Sequence, residues 1–155
     1  MSRLIAFALL ALASMLLRPA HAADAPQLWL HLGGVSAHTA PGMNGLNPGI
    51  GIEARWSPTW AAGAGVMRNS QRATSRYALA FWTPAHLTTP IGALHLGAAA
   101  GVVDGYRLRD GAPLPVAAPL LEWRADRVSV SALFVPRVRG VTDGATAALL
   151  LKLRF

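Results

Sequence analysis

The chain has 155 residues, 53% of them hydrophobic and only 14% charged, and its 14 Lys and Arg against 7 Asp and Glu give a formal net charge of +7. This composition excludes intrinsic disorder, and the absence of cysteine excludes both a disulfide framework and a thiolate metal site. Mean hydropathy is positive, yet beyond the first 22 residues the apolar side chains are dispersed by alternation and form no run long enough for a membrane helix.

The N-terminus begins with Arg3, continues through an apolar stretch from Leu4 to Leu17 and closes on Ala20-His21-Ala22. A short positive region, an apolar region and a small-x-small site predict a secretory signal peptide over residues 1–22, leaving the barrel candidate over 23–155. Arg18 and Pro19 stop the apolar run short of the roughly 20 residues of a spanning helix. Loss of Arg3 and Arg18 with the signal lowers the basic residues to 12 against 7 acidic, a net charge of +5. Export argues against nucleic acid as the partner of that charge and points to phosphorylated lipid headgroups or another polyanion.

The remaining chain divides into eight candidate strands, each near the roughly ten residues that a tilted membrane strand needs. They cover 27–36, 49–56, 60–68, 76–82, 91–103, 115–123, 127–135 and 145–155. The last reads A-T-A-A-L-L-L-K-L-R-F. Counted back from Phe155, one parity is oily and the other carries Arg154, Lys152 and Thr146. That alternation fits the apolar-out, polar-in period of a transmembrane barrel, although the segment alone would also suit an edge strand of a soluble sandwich. With the signal peptide, it predicts an all-β fold, an eight-stranded antiparallel barrel of the bacterial outer membrane. The same parity turns Ile50, Ile52, Ala54 and Trp56 outward and Glu53 and Arg55 inward. It likewise puts Glu122, Arg124, Lys152 and Arg154 inside, where two carboxylates and four cations would plug a lumen too narrow for a channel. Trp29, Trp56, Trp60, Trp82 and Trp123 lie near strand ends, as an interfacial girdle requires.

Inner turns are expected at 57–59, 83–90 and 125–126, and outer loops at 37–48, 69–75, 104–114 and 136–144. Seven arginines gather on the outer side: Arg68, Arg72, Arg76, Arg107, Arg109, Arg137 and Arg139. Arg suits bidentate phosphate contacts, so the rim is a candidate surface for lipopolysaccharide phosphates. Proline cannot donate to a ladder, and Pro119 and Pro136 fall on adjacent strands, with Pro48 beside the first strand; these three are candidate lateral-gate prolines. Pro113 and Pro115 are expected simply to start a strand.

His38 after the first strand, N-P-G-I-G-I-E-A-R-W at 47–56, R-N-S at 68–70, L-G-A-A-A-G-V at 96–102, P-L-P-V-A-A-P-L-L at 113–121, L-F-V-P at 133–136 and the terminal K-L-R-F together resemble the outer-membrane lipid A palmitoyltransferases of the PagP type. In that family a His, an Asp and a Ser on extracellular loops move palmitate from a phospholipid to lipid A, the acyl chain lies in the barrel interior, and proline-flanked gaps admit lipid. The resemblance implies His38 for the His and Ser70 for the Ser, with Asn69 where the family most often has Asp, and Pro48, Pro119 and Pro136 at the gaps. The terminal Phe155 resembles the signal read by the outer-membrane barrel assembly machinery. Three features depart from the family. Only Ala23 to Pro26 precede the first strand, so an N-terminal amphipathic helix is missing; Gly33 stands where a gap proline is expected; and Asn69 carries no charge.

The expected activity is therefore transfer of an acyl chain, palmitoyl by resemblance, from phospholipid to lipid A, by a monomer without cofactor or metal. Ser70 would be the nucleophile or a transition-state donor, His38 the general base and Asn69 an oxyanion donor or orienter, while Arg68, Arg72, Arg76, Arg107, Arg109 and Arg137 would hold phosphate. A lipid A deacylase of the same chemistry is one alternative. The other is a non-catalytic barrel that binds lipopolysaccharide through its arginine rim. A lumen packed shut would favour the last, and His38 within reach of Ser70 the first.

Overall fold

Period-two alternation over segments of this length has one economical solution, a sheet that keeps one face oily and closes so that no edge is left unpaired. The computed structural model describes residues 25–139 and 142–155, so the expected signal peptide lies outside the described residues. The strands are β1 (Gln27–His38), β2 (Leu46–Asn47), β3 (Gly49–Arg55), β4 (Trp60–Arg68), β5 (Thr74–Thr89), β6 (Gly92–Val103), β7 (Leu114–Arg124), β8 (Val128–Val135) and β9 (Thr146–Arg154). Each pairs antiparallel with its neighbour, and β1 pairs with β9 to close the ring. The two-residue β2 continues the line of β3 beyond Pro48, and both lie along β1, so eight staves enclose the barrel. A 3₁₀ turn at Arg107–Arg109 is the one helical element among the described residues.

The predicted faces hold in detail. Ile50 and Ile52 are exposed while Glu53 and Arg55 are buried, and Leu149, Leu151 and Leu153 are exposed beside a buried Lys152. Three expectations change. The fourth predicted strand was bounded at Trp82 and a turn expected over 83–90; instead β5 runs to Thr89, because Pro84 falls within a register shift between Trp82 and Ala85, where no ladder hydrogen bond is demanded of it. Trp29 is 1% exposed and points into the lumen, so the candidate girdle is left to Trp56, Trp60, Trp82 and Trp123. Arg154 leaves the interior cluster and pairs with Asp126 at the mouth formed by the short turns.

The lumen is filled in layers. At its centre Lys152 bridges Glu53 at 2.7 Å and Glu122 at 3.0 Å, and Arg55 bridges the same two carboxylates at 2.7 and 3.2 Å. Arg124 adds a third cation to Glu122, and Ser129 donates to it at 2.8 Å. His31 lies 3.2 Å from Glu53 and hydrogen-bonds the Tyr77 hydroxyl at 2.7 Å. Gly51 and Gly65 make room for that tyrosine, since a Cβ on either would collide with its hydroxyl. Towards the long loops an apolar layer of Ala61, Phe81, Ala99 and Leu120 follows, with Leu79 and Leu133 against it and Lys152 4.5 Å from the Phe81 ring centre.

Removing one partner of such a pair strands buried charge, and removing both does not. Glu122→Ala, which leaves Arg55, Arg124 and Lys152 to share Glu53, is expected to cost about 3–5 kcal/mol in denaturant unfolding of the refolded barrel. The double change Glu122→Gln with Lys152→Met is expected to cost less than Glu122→Ala alone.

Candidate functional site

β1 changes its inward parity halfway along. Up to Leu32 the odd residues Trp29 and His31 face in and the leucines face out; beyond the bulge at Gly33–Gly34, Val35 and Ala37 are exposed and Ser36 and His38 face in. The bulge depends on both glycines. Gly33 has φ 77°, and a Cβ there would lie 2.5 Å from the Gly49 nitrogen; a Cβ on Gly34 would collide with the Leu149 carbonyl. A proline, locked near φ −65°, has no place at Gly33, which accounts for the departure from the resembled pattern. Bulges re-aim side chains, and this one aims a serine and a histidine into the loop end of the lumen.

There the Ser36 hydroxyl lies 2.8 Å from His38 Nε2 and 2.6 Å from Asn47 Oδ1. His38 Nδ1 lies 2.9 Å from Thr146 Oγ1, and Nε2 lies 3.2 Å from the Asn44 carbonyl. Both side chains are part-exposed. The five residues form one polar cluster over β1, β2, β9 and the first loop.

Ser70 and Asn69 belong to a different cluster. Asn69 is wholly buried, donates through Nδ2 to Ser75 Oγ and the Gly105 carbonyl, each at 2.9 Å, and accepts through Oδ1 from the Gln71 and Ala73 amides at 2.9 and 3.0 Å. It ties the second loop to the third and has no capacity left over. Ser70 hydrogen-bonds Tyr106, whose hydroxyl is pushed up by burial, with the Ser70 contact opposing the shift. No hydrogen bond among the described residues joins His38 to Ser70. Their link is Asn44, whose amide donates to the Ser70 carbonyl at 2.7 Å while its own carbonyl faces His38.

Of the candidate arginines, Arg68, Arg72, Arg76, Arg107, Arg137 and Arg139 are exposed. Arg72, at φ 63°, donates to the Gly42 carbonyl at 2.9 Å across to the first loop. Arg76 is 3.9 Å from Asp104. Arg109 ends the 3₁₀ turn. Pro48 sits between β2 and β3, where the ladder to β1 resumes on either side and its carbonyl accepts from the Arg68 amide at 2.9 Å.

Pro119 and Pro136 act on one seam. β7 is paired with β6 along its whole length, from Leu114 to Arg124, but with β8 only from Leu120 to Arg124. The register makes Leu121 and Ala132 the last hydrogen-bonded rung, so the next two would join 119 to 134 and 117 to 136. Each of those rungs contains a proline without an N–H, and there the strands part. The opening is an apolar cleft of about 210 Å³ between Pro119, Leu120, Leu133, Phe134, Ala148 and Leu149. Ala148 stands directly across the β1–β9 ladder from Ser36, and Thr146 across from His38. The cleft therefore leads to the polar cluster within two residues of β9, about 7 Å.

Ser36, Asn44, Asn47 and Thr146 did not stand out in the sequence. S-x-H spacing on one strand was a legible signal, hidden because the first strand was bounded at Ser36 and His38 assigned to a loop. Compared with family models and with curated proteins, the chain matches none.

Two measurements probe this arrangement. Asn69→Asp would face an oxygen towards the Gly105 carbonyl in place of a donor, and is expected to destabilise the barrel by about 1–3 kcal/mol in denaturant unfolding. Pro119→Ala with Pro136→Ala returns both missing donors, so hydrogen exchange at Phe134 and at the new alanine amides is expected to slow as the seam zips.

Proposed function

We propose that the barrel stands in the bacterial outer membrane and transfers an acyl chain from a phospholipid to lipid A, in the manner of the PagP-type enzymes that its motifs resemble. The observation that carries this reading is the cleft: an apolar opening in the barrel wall beside the exposed Phe134, whose wall residue Ala148 pairs across the β1–β9 ladder with Ser36, two residues from His38. The band of exposed Ile50, Ile52, Leu96, Leu121, Phe134 and Leu149 suits a hydrocarbon surround. With the long loops outside, Arg68, Arg76, Arg107, Arg137 and Arg139 face the lipopolysaccharide phosphates.

In this reading the acyl tail lies in the cleft and the ester lies at its upper end, where His38 is the general base towards the attacking hydroxyl. The cleft is smaller than the roughly 300–1,000 Å³ of a pocket that engulfs a ligand. Part of the chain therefore stays in the bilayer, and the lumen below Leu120 and Leu133 takes none of it. That filled lumen is the observation favouring a second reading, a non-catalytic barrel that binds lipopolysaccharide by its arginine rim.

Mass spectrometry of lipid A from cells expressing the barrel separates them. Acyl transfer predicts a new species heavier by one acyl chain, abolished by His38→Ala in a barrel that still shows the folded, heat-modifiable gel mobility. Unchanged lipid A with a folded wild-type barrel removes the transferase reading.

A further inference from the structure

We propose that Ser36, and not Ser70, is the nucleophile of this site, and that acyl transfer proceeds through a covalent acyl-Ser36 ester. The inference deepens the acyl-transfer reading and rests on it for the substrate class, an ester of a membrane lipid.

The geometry supplies the arrangement that activates a serine: nucleophile against base, and base held by a third group. Ser36 Oγ is 2.8 Å from His38 Nε2, and His38 Nδ1 is 2.9 Å from Thr146 Oγ1. The resting contacts suit a proton on Nε2, given to Ser36 Oγ and the Asn44 carbonyl; in the other tautomer, with the proton on Nδ1 donated to the threonine hydroxyl, Nε2 presents its lone pair to Ser36 and is the base. When Nε2 takes the serine proton, the new N–H has an acceptor already in place, the Asn44 carbonyl at 3.2 Å. Both nitrogens of the imidazolium are then hydrogen-bonded without a carboxylate, which answers the lack of charge at Asn69. In the resting structure the Ser36 hydroxyl donates its one proton to Asn47 Oδ1 at 2.6 Å, with Asn47 Nδ2 anchored on the Arg68 carbonyl at 3.0 Å, so activation requires that proton to swing from Asn47 to His38 Nε2, which is already 2.8 Å from the same oxygen. Among the described residues Ser70 has no histidine partner and bonds Tyr106 instead.

Position supports the same assignment. Ser36 is opposite Ala148, a wall residue of the cleft, so an ester whose tail fills the cleft presents its carbonyl to Ser36. In the first step Ser36 Oγ bonds to the carbonyl carbon, its proton passes to His38, the carbon–oxygen bond to the donor lipid breaks, and the leaving alkoxide takes the proton from His38. In the second, the acceptor hydroxyl gives its proton to His38 and attacks the acyl-Ser36 carbon, and Ser36 departs with that proton. No oxidant or metal is consumed.

A fluorophosphonate probe tests the nucleophile without any lipid A acceptor. Added to the full-length barrel folded in detergent micelles, the probe is expected to bond to Ser36 Oγ with loss of fluoride, located by peptide mass spectrometry. His38→Gln is expected to slow labelling at least 100-fold at unchanged folded gel mobility, in line with loss of a general base. Thr146 is a positioning residue: Thr146→Val is expected to shift the pH profile of the labelling rate, and Thr146→Ser to restore it. Label on Ser70, label on no serine of a folded barrel, or Ser36 labelling that is indifferent to His38 would overturn the proposal. Ser36 labelling combined with unchanged lipid A would leave the nucleophile standing and remove the lipid A acceptor.

Discussion

The constraint from which the rest of the structure follows is backbone pairing around a closed ring. Each stave must satisfy its N–H and C=O groups on both sides, and the ring closes only when β1 meets β9. Where the ladders are complete, the barrel is an alternation of oily and inward side chains with little room for chemistry. The places with chemical potential are those where pairing is broken: the Gly33–Gly34 bulge, and the parted strands above Leu121 and Ala132.

These two breaks cooperate across one strand. The bulge turns Ser36 and His38 inward on one side of β9, and the prolines open the wall close to its other side. β9 presents Ala148 to the cleft and Thr146 to the histidine, and so joins an apolar slot to a polar cluster over two residues. The proposed acyl transfer would use such a junction, because an acyl ester has its reactive carbon at the boundary between tail and headgroup.

The charged layer gives this end of the barrel a rigid base. Glu53 and Glu122 gather Arg55, Arg124 and Lys152 across three strands, with His31 and Tyr77 completing the layer. Buried pairs of this kind are weak sources of net stability, but they penalise any register that separates them. A one-residue slip of a strand would send its charges to the apolar face. The layer also fills the lumen beneath the wall cleft.

Alternation by itself determined the all-β class, the staves, the outward isoleucines and leucines and the inward ions, because in a strand the side-chain direction follows from parity alone. It also marked Pro119 and Pro136, since a missing N–H is a property of the residue and needs no partner to be recognised. Only the tertiary structure decided which groups meet. A glycine pair says nothing of a bulge until its neighbours demand one, and the bulge reversed the parity that places Ser36 and His38. Asn69 and Ser70 stood out as an N-S pair, while their contacts with Ser75, Gly105 and Tyr106, 6 to 36 residues away along the chain, tie the second loop to the third and could not be read locally. Thr146 reaches His38 across 108 positions. Ring closure brings that pair together, and no local pattern in the chain encodes it.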